Sequence, residues 1–306
     1  MRPVILRLDD ALDAQSDFAR AVEGLGGRRL EARDLGPAMR LWSPAARLGD
    51  LRDRLARDLP ATERADLVFA GSGDFHHVSP LLIARAIAAA GGPVTVIHFD
   101  NHPDWIRFAR GRHCGSWVGE AARLPGVAKV ITLGVCSPDI GRGRARQGDV
   151  ALLGSGQLEL YAWQAPDGAA EVVLDDRAWP TISGLGEAAF LDLLDRRVET
   201  RQVYVTLDKD VLAHDEAVSN WDQGQASLAF VIAALRRVAS GRQVIGADVV
   251  GDWSRAVYGG TPGRAWTKRV EAYLDQPRHA PDPALARTIN EAANLRLLDA
   301  FAEAAA

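Results

Sequence analysis

Three short stretches of this sequence concentrate side chains that bind cations or move protons: GSGDFHHVS at 71–79, HFDNHPDW at 98–105 and VTLDKDVL at 205–212. In the second, Asp100, His102 and Asp104 stand two residues apart as the apolar run VTVIHF ends. Residues two apart on an extended backbone share a face, so this spacing directs two carboxylates and an imidazole into one space. A polar loop with Asp104 capping the next helix would account for one acid and leave the other groups without partners at a buried strand end. A cation satisfies them together. In the third stretch, Asp208 and Asp210 flank Lys209 after VYVTL, and the same alternation sends Lys209 to the opposite face. Two carboxylates that close repel unless a cation lies between them, the plain alternative being two solvated loop acids. In the first stretch, either His76 or His77 follows a glycine-flanked turn. A lone histidine there would be an ordinary hydrogen-bonded residue, and a dinucleotide-binding GxGxxG is excluded because His76 stands where its last glycine belongs.

These stretches need elements that carry them to one place. Short β-branched runs (PVILRL, ADLVFAG, GPVTVIHFD, AKVITLGV, AEVVLDD, RQVYVTLD and RQVIGADVV) alternate with segments of helical apolar spacing at Pro80–Ala90, Glu187–Val198 and Ser227–Ala239. That alternation predicts an α/β fold, a mostly parallel sheet covered by helices on both faces. In such a sheet the carboxyl ends of neighbouring strands converge on one crevice, where ligands bind. The Ala- and Leu-rich tail Pro281–Ala306 predicts a terminal helix, while Arg142–Gly168 has no clear pattern. With no repeat or linker, all 306 residues are expected to form one domain.

Composition narrows the partners. A net charge of −4 with scattered arginines argues against a nucleic-acid partner and for a small-molecule substrate. No stretch approaches the roughly 20 apolar residues that span a bilayer. Cys114 and Cys136, without CxxC spacing, suit a reducing compartment, so a cytoplasmic location is expected.

A histidine, then D-x-H-x-D, then D-x-D, in that order on separate strand ends, resembles the ligand pattern of the arginase, agmatinase and formiminoglutamase (ureohydrolase) family, from about Leu67 to Asp252. The resemblance is closest to a divergent arginase-like branch reading G-x-[YF]-H after the first of these strands. It implies a three-layer α/β/α arginase-like fold, a possible homo-oligomer and two metal ions per chain, with Asp100 and Asp208 bridging. His76 and Asp104 would hold one ion, and His102 and Asp210 the other. Under this alignment His76 is preferred to His77. Oxygen-rich ligands with a few imidazoles and no thiolate suit Mn²⁺.

Where the chain departs from the family, it does so around the substrate. SNWDQG at 219–224 replaces a D-P-x-x-x-P-G type sequence, so Asn220, Trp221, Asp222 and Gln223 look like a new substrate wall, the alternative being a polar turn into the following helix. The family's late D-x-x-E, whose glutamate binds guanidinium, becomes Asp248, Val249, Val250 and Gly251, with the nearest acid at Asp252. GRHCGSW offers His113 or Cys114 where the family has a histidine that assists proton transfer or substrate binding, though Cys114 also reads as a small buried residue. The resemblance therefore implies a hydrolase of amidine, guanidino or amide C–N bonds that is not a true arginase. Metal-activated water would attack, Asp104 or Asp210 would take its proton, and His113 or Asp252 would assist departure of the amine. Two rivals remain: a single-zinc, deacetylase-like amidohydrolase, against which Asp104, Asp208 and Asp210 argue, and a non-catalytic metal-binding protein of the same fold.

Overall fold

The computed structural model describes residues 1–141 and 148–304. The first six residues of the patternless Arg142–Gly168 stretch, and the last two of the tail, lie outside the described residues.

Eight strands form one sheet: β1 (Arg2–Arg7), β2 (Arg28–Glu31), β3 (Asp66–Phe69), β4 (Val94–Phe99), β5 (Val127–Val135), β6 (Leu158–Ala162), β7 (Gln202–Asp208) and β8 (Gln243–Val250). Their order is β2-β1-β3-β8-β7-β4-β5-β6, and every pairing is parallel. An all-parallel sheet must be covered on both faces, which is why β4, VTVIHF, is buried along its whole length.

The two faces build separate cores. Val94 and Val96 of β4 and Leu158 and Leu160 of β6 point to one side, where they meet Leu48, Leu51 and Leu55 of helix α2 (Ala45–Asp58) and Leu82 and Ile83 of α3 (Ser79–Ala90). Ile97 and Phe99 of β4 and Val203, Val205 and Leu207 of β7 point to the other, packing on α1 (Ser16–Gly24), α4 (Glu187–Arg197), α5 (Leu228–Ala239) and the C-terminal α7 (Pro283–Ala304). This is a three-layer α/β/α arrangement, each fully buried Leu, Ile, Val or Phe contributing about 1.5–3 kcal/mol. The expected helices begin and end within two residues of the observed ones. The remaining long helix, α6 (Pro262–Asp275), runs from a Thr261 cap to the rim of the cleft described below.

One expected sheet strand is corrected. AEVVLDD lies outside the central sheet: Glu171–Leu174 pairs antiparallel with Arg177–Pro180. Val172 and Leu174 are buried while Glu171 and Val173 are exposed, the alternation of a one-sided hairpin. Asp175 and Asp176 turn the chain with φ of +51° and +59°, as a type I′ turn demands.

Candidate metal centre

On the α2/α3 side of the sheet the inward residues become polar toward the strand ends: Val96 and His98 on β4 with Asp100 just past its end, then Tyr204, Thr206 and Asp208 on β7. β7 lies directly between β4 and β8, and β8 pairs with β3, so the ends that carry Asp100, Asp208 and the His76 turn are close neighbours. The residues do not sit on extended backbone as the alternation suggested. Asp208 folds Lys209–Val211 into a tight turn by accepting from the Asp210 amide at 3.0 Å, and Asp104 adopts a left-handed φ of +48°. Such a conformation costs a non-glycine residue about 1–3 kcal/mol. It lets Asp104 Oδ2 accept from Trp117 Nε1 at 2.6 Å.

His76, in the short turn Gly73–Val78, pairs its Nε2 with Thr206 Oγ1 at 2.9 Å, and the Thr206 hydroxyl donates to Asp248 Oδ1 at 2.8 Å. With its own proton committed, Thr206 can only accept from His76, so Nε2 carries an imidazole hydrogen and Nδ1 is the nitrogen turned to the carboxylates. That buried Nδ1 has no hydrogen-bond partner, yet it lies 3.0 Å from Asp100 Oδ2, 3.3 Å from Asp104 Oδ2 and 3.7 Å from Asp208 Oδ2. His102 repeats the arrangement. Its Nε2 is 3.1 Å from Asp222 Oδ1, and its Nδ1 faces Asp210 Oδ2 at 3.0 Å and Asp100 Oδ1 at 3.4 Å. Two imidazole nitrogens turned to clustered carboxylate oxygens form a donor set that a cation could join in place of protons, so it fits divalent metal.

Electrostatics agree. Burial, then the Asp100 charge, pushes Asp208 up to about 7, and burial with Asp100 and Asp208 raises Asp210 well above the usual carboxylate range. Asp104 is raised by the same two causes, burial and Asp100. Burial opposes charge on Asp100 too, but the surrounding His102, His76 and His98 outweigh it and hold Asp100 well below the usual range, while against burial the facing carboxylates raise His76 and His102 well above the ordinary imidazole value. Ligand atoms within 4.8 Å of one another form two groups, His76–His98–Asp100–Asp104 and Asp100–His102–Asp210, with Asp100 in both.

His98 was not singled out in the sequence, although it stands two places before Asp100 on the same face. Its Nε2 is 3.0 Å from Asp100 Oδ2 and its Nδ1 3.1 Å from Thr132 Oγ1, so both nitrogens are occupied and it steadies Asp100. His77, the other candidate of the first stretch, turns away, with Nε2 on Ser43 Oγ at 2.6 Å.

The cluster floors a cleft of about 760 Å³ walled by Trp221, Asp222, His113, Cys114 and Leu274–Pro277. Not all the expected substrate residues reach it. Asp252 points instead into the interior, where Lys209 Nζ lies 2.8 Å away and Gln15 donates at 2.7 Å; the Lys209 ammonium, turned to the far face, draws it there. Asn220 ties two loops, accepting from Ser72 Oγ at 3.0 Å and donating to Ser254 O at 2.9 Å. His113 does line the cleft, with its Nε2 2.5 Å from Glu271 and its Nδ1 accepting from the Gly115 amide. Cys114 is buried, and burial pushes its thiol well up, the signature of an inert residue.

No known family model matches the chain, and no curated protein matches it by sequence. Its fold is nevertheless shared with solved structures. A hypothetical agmatinase from Burkholderia thailandensis superposes with a TM-score of 0.57 at 17% identity, over 99% of this chain and 87% of that one. Arginase from Bacillus cereus gives 0.56 at 14%, over 96% and 97%. Proclavaminate amidino hydrolase from Streptomyces clavuligerus gives 0.53 at 17%, over 95% and 92%. The three-layer architecture is therefore the arginase and agmatinase (ureohydrolase) fold.

Proposed function

We propose that this protein is a binuclear, manganese-dependent hydrolase of a C–N bond in a small amidine, guanidino or amide compound, and a poor arginase. The observation that carries this reading is the pair of imidazole nitrogens, His76 Nδ1 and His102 Nδ1, that face clustered buried carboxylates at the ends of adjacent strands. The shared fold supports it, since solved proteins named as agmatinase, arginase and amidino hydrolase have it.

His76, Asp100, Asp104 and Asp208 would hold one ion, and His102, Asp210, Asp100 and Asp208 the other. Bound there, two divalent cations supply Lewis acidity and make a nucleophile of water at neutral pH. Trp117 fixes Asp104 through Oδ2, which leaves Oδ1 to hold a proton. The Asn101 amide donates to Asp210 Oδ1 at 3.0 Å and turns Oδ2 toward His102. Trp221 and Asp222 form the wall nearest His102, where a substrate would lie. Free Cys114 and Cys136 suit a cytoplasmic location, and no described helix is long and apolar enough to cross a membrane.

The test is a screen of manganese-loaded protein for amine or urea release from guanidino acids, agmatine, formimino compounds and acyl amides. Turnover of at least one class, abolished by chelation and restored by Mn²⁺, is expected. Loaded, folded protein that turns over none of them would favour a binding role.

A further inference from the structure

The segment Ser219–Gln223 makes more contacts with the metal centre's supports than a substrate wall requires. Asn220 bonds the loops at Ser72 and Ser254, and Gln223 Nε2 donates to the carbonyls of Leu212 and Ala217 at 3.2 and 2.7 Å. Both ends of the segment are thus pinned. Between them, Trp221 lays its ring against the His102 imidazole, centroids 5.7 Å apart at 68°, and donates from Nε1 to the buried Asp74 at 3.0 Å. Asp222 receives His102 Nε2 on Oδ1 at 3.1 Å, while its backbone carbonyl accepts from Asn101 Nδ2 at 2.9 Å.

An ionised carboxylate can only accept, so Asp222 requires the hydrogen on Nε2 and presents Nδ1 to Asp210 and Asp100. A ligating histidine whose other nitrogen is held by a carboxylate is fixed in tautomer and ring orientation, and removal of such a partner typically weakens metal affinity 10–100-fold. On the first ion's side Thr206 and Asp248 hold His76 in the same sense, but from the sheet interior. His102 lies past the end of β4, and there the NWDQ strap supplies the support.

We propose that Asp222 is a positioning residue, the carboxylate that fixes His102 for the second metal, and that Ser219–Gln223 is a buttress of that half of the centre. The proposal rests on the two-metal reading above. Its test is manganese titration of wild type, Asp222→Ala and Asp222→Asn by equilibrium dialysis, with the melting temperature of each metal-free protein measured alongside. The Asp222 side chain is 55% exposed, so neither variant should change the metal-free melting temperature appreciably. Wild type should take up two ions. Asp222→Ala should keep one at wild-type affinity and bind the other 10–100-fold more weakly, while Asp222→Asn, which retains an acceptor oxygen, should recover most of the loss. Two ions bound by Asp222→Ala as tightly as by wild type would overturn the proposal and leave the two-metal reading standing. Wild type that takes up no second ion would overturn both.

Discussion

Gly251 stands where the resemblance calls for a guanidinium-binding glutamate, and its backbone explains why no such side chain is there. Its φ is +94°, and a Cβ would run into Asp208 Oδ1 and the Lys209 amide nitrogen. Gly251→Ala should therefore cost about 1–3 kcal/mol in denaturant unfolding and weaken metal uptake through Asp208; unchanged stability would mean that the crowding is easily relieved. A site that lacks the acceptor for a charged group discriminates against that group by several kcal/mol. The manganese-loaded enzyme should then hydrolyse free L-arginine with kcat/KM well below about 10⁴ M⁻¹s⁻¹, as measured by urea release. The displaced acid, Asp252, has a different duty. Its pair with Lys209 is fully buried, the side chains 1% and 0% exposed, so Lys209→Met, which strands the carboxylate, should destabilise by about 3–5 kcal/mol. If Asp252 instead touched substrate, Asp252→Asn would raise KM at unchanged stability, and that result would return it to the cleft. The clustering of these acids was legible because D-x-H-x-D and D-x-D concentrate charge at the ends of apolar runs. The direction of Asp252 was not, because it depends on Gln15 and Asn294, brought to it from the two ends of the chain.

At the scale of elements, the strands of the central sheet visible in the sequence were those buried on both faces, whose apolar runs are nearly continuous. β2, RRLE, escaped because an edge strand buries only Leu30. β6, LELYA, escaped because Glu159 interrupts its run. That carboxylate is 1% exposed and lies 2.7 Å from Lys129 of β5, with Arg197 of α4 and the Tyr161 hydroxyl completing its shell. Burial alone would raise the Glu159 carboxyl, but Arg197 and Lys129 outweigh it and hold it below its ordinary 4.5. A depressed folded value means stability present above the unfolded value and lost as pH falls through the folded one. Wild type should thus lose stability below about pH 4.5 more steeply than Glu159→Gln. At neutral pH the variant should be weaker by roughly 1.5–3 kcal/mol, the range for hydrogen bonds to a charged group. Urea melts of the two proteins at pH 7 and pH 4 would show parallel losses if the carboxylate were not ionised in the fold.

For the molecule as a whole, two apolar cores clamp one parallel sheet and leave the polar ends of β3, β4 and β7 to meet at one cleft. The layer order could be read from alternating strands and helices. What could not be read was how the carboxylates are presented, since the Asp208 turn, the left-handed Asp104 and the NWDQ strap are fixed by contacts between segments far apart in sequence. The proposed centre concentrates more ligands than one ion can use. Equilibrium dialysis of folded protein against saturating Mn²⁺, with metal counted per chain, tests it most directly. Close to two ions per chain is the result the two carboxylate-facing imidazoles and shared Asp100 predict; one ion or none, in protein that melts cooperatively, would contradict it.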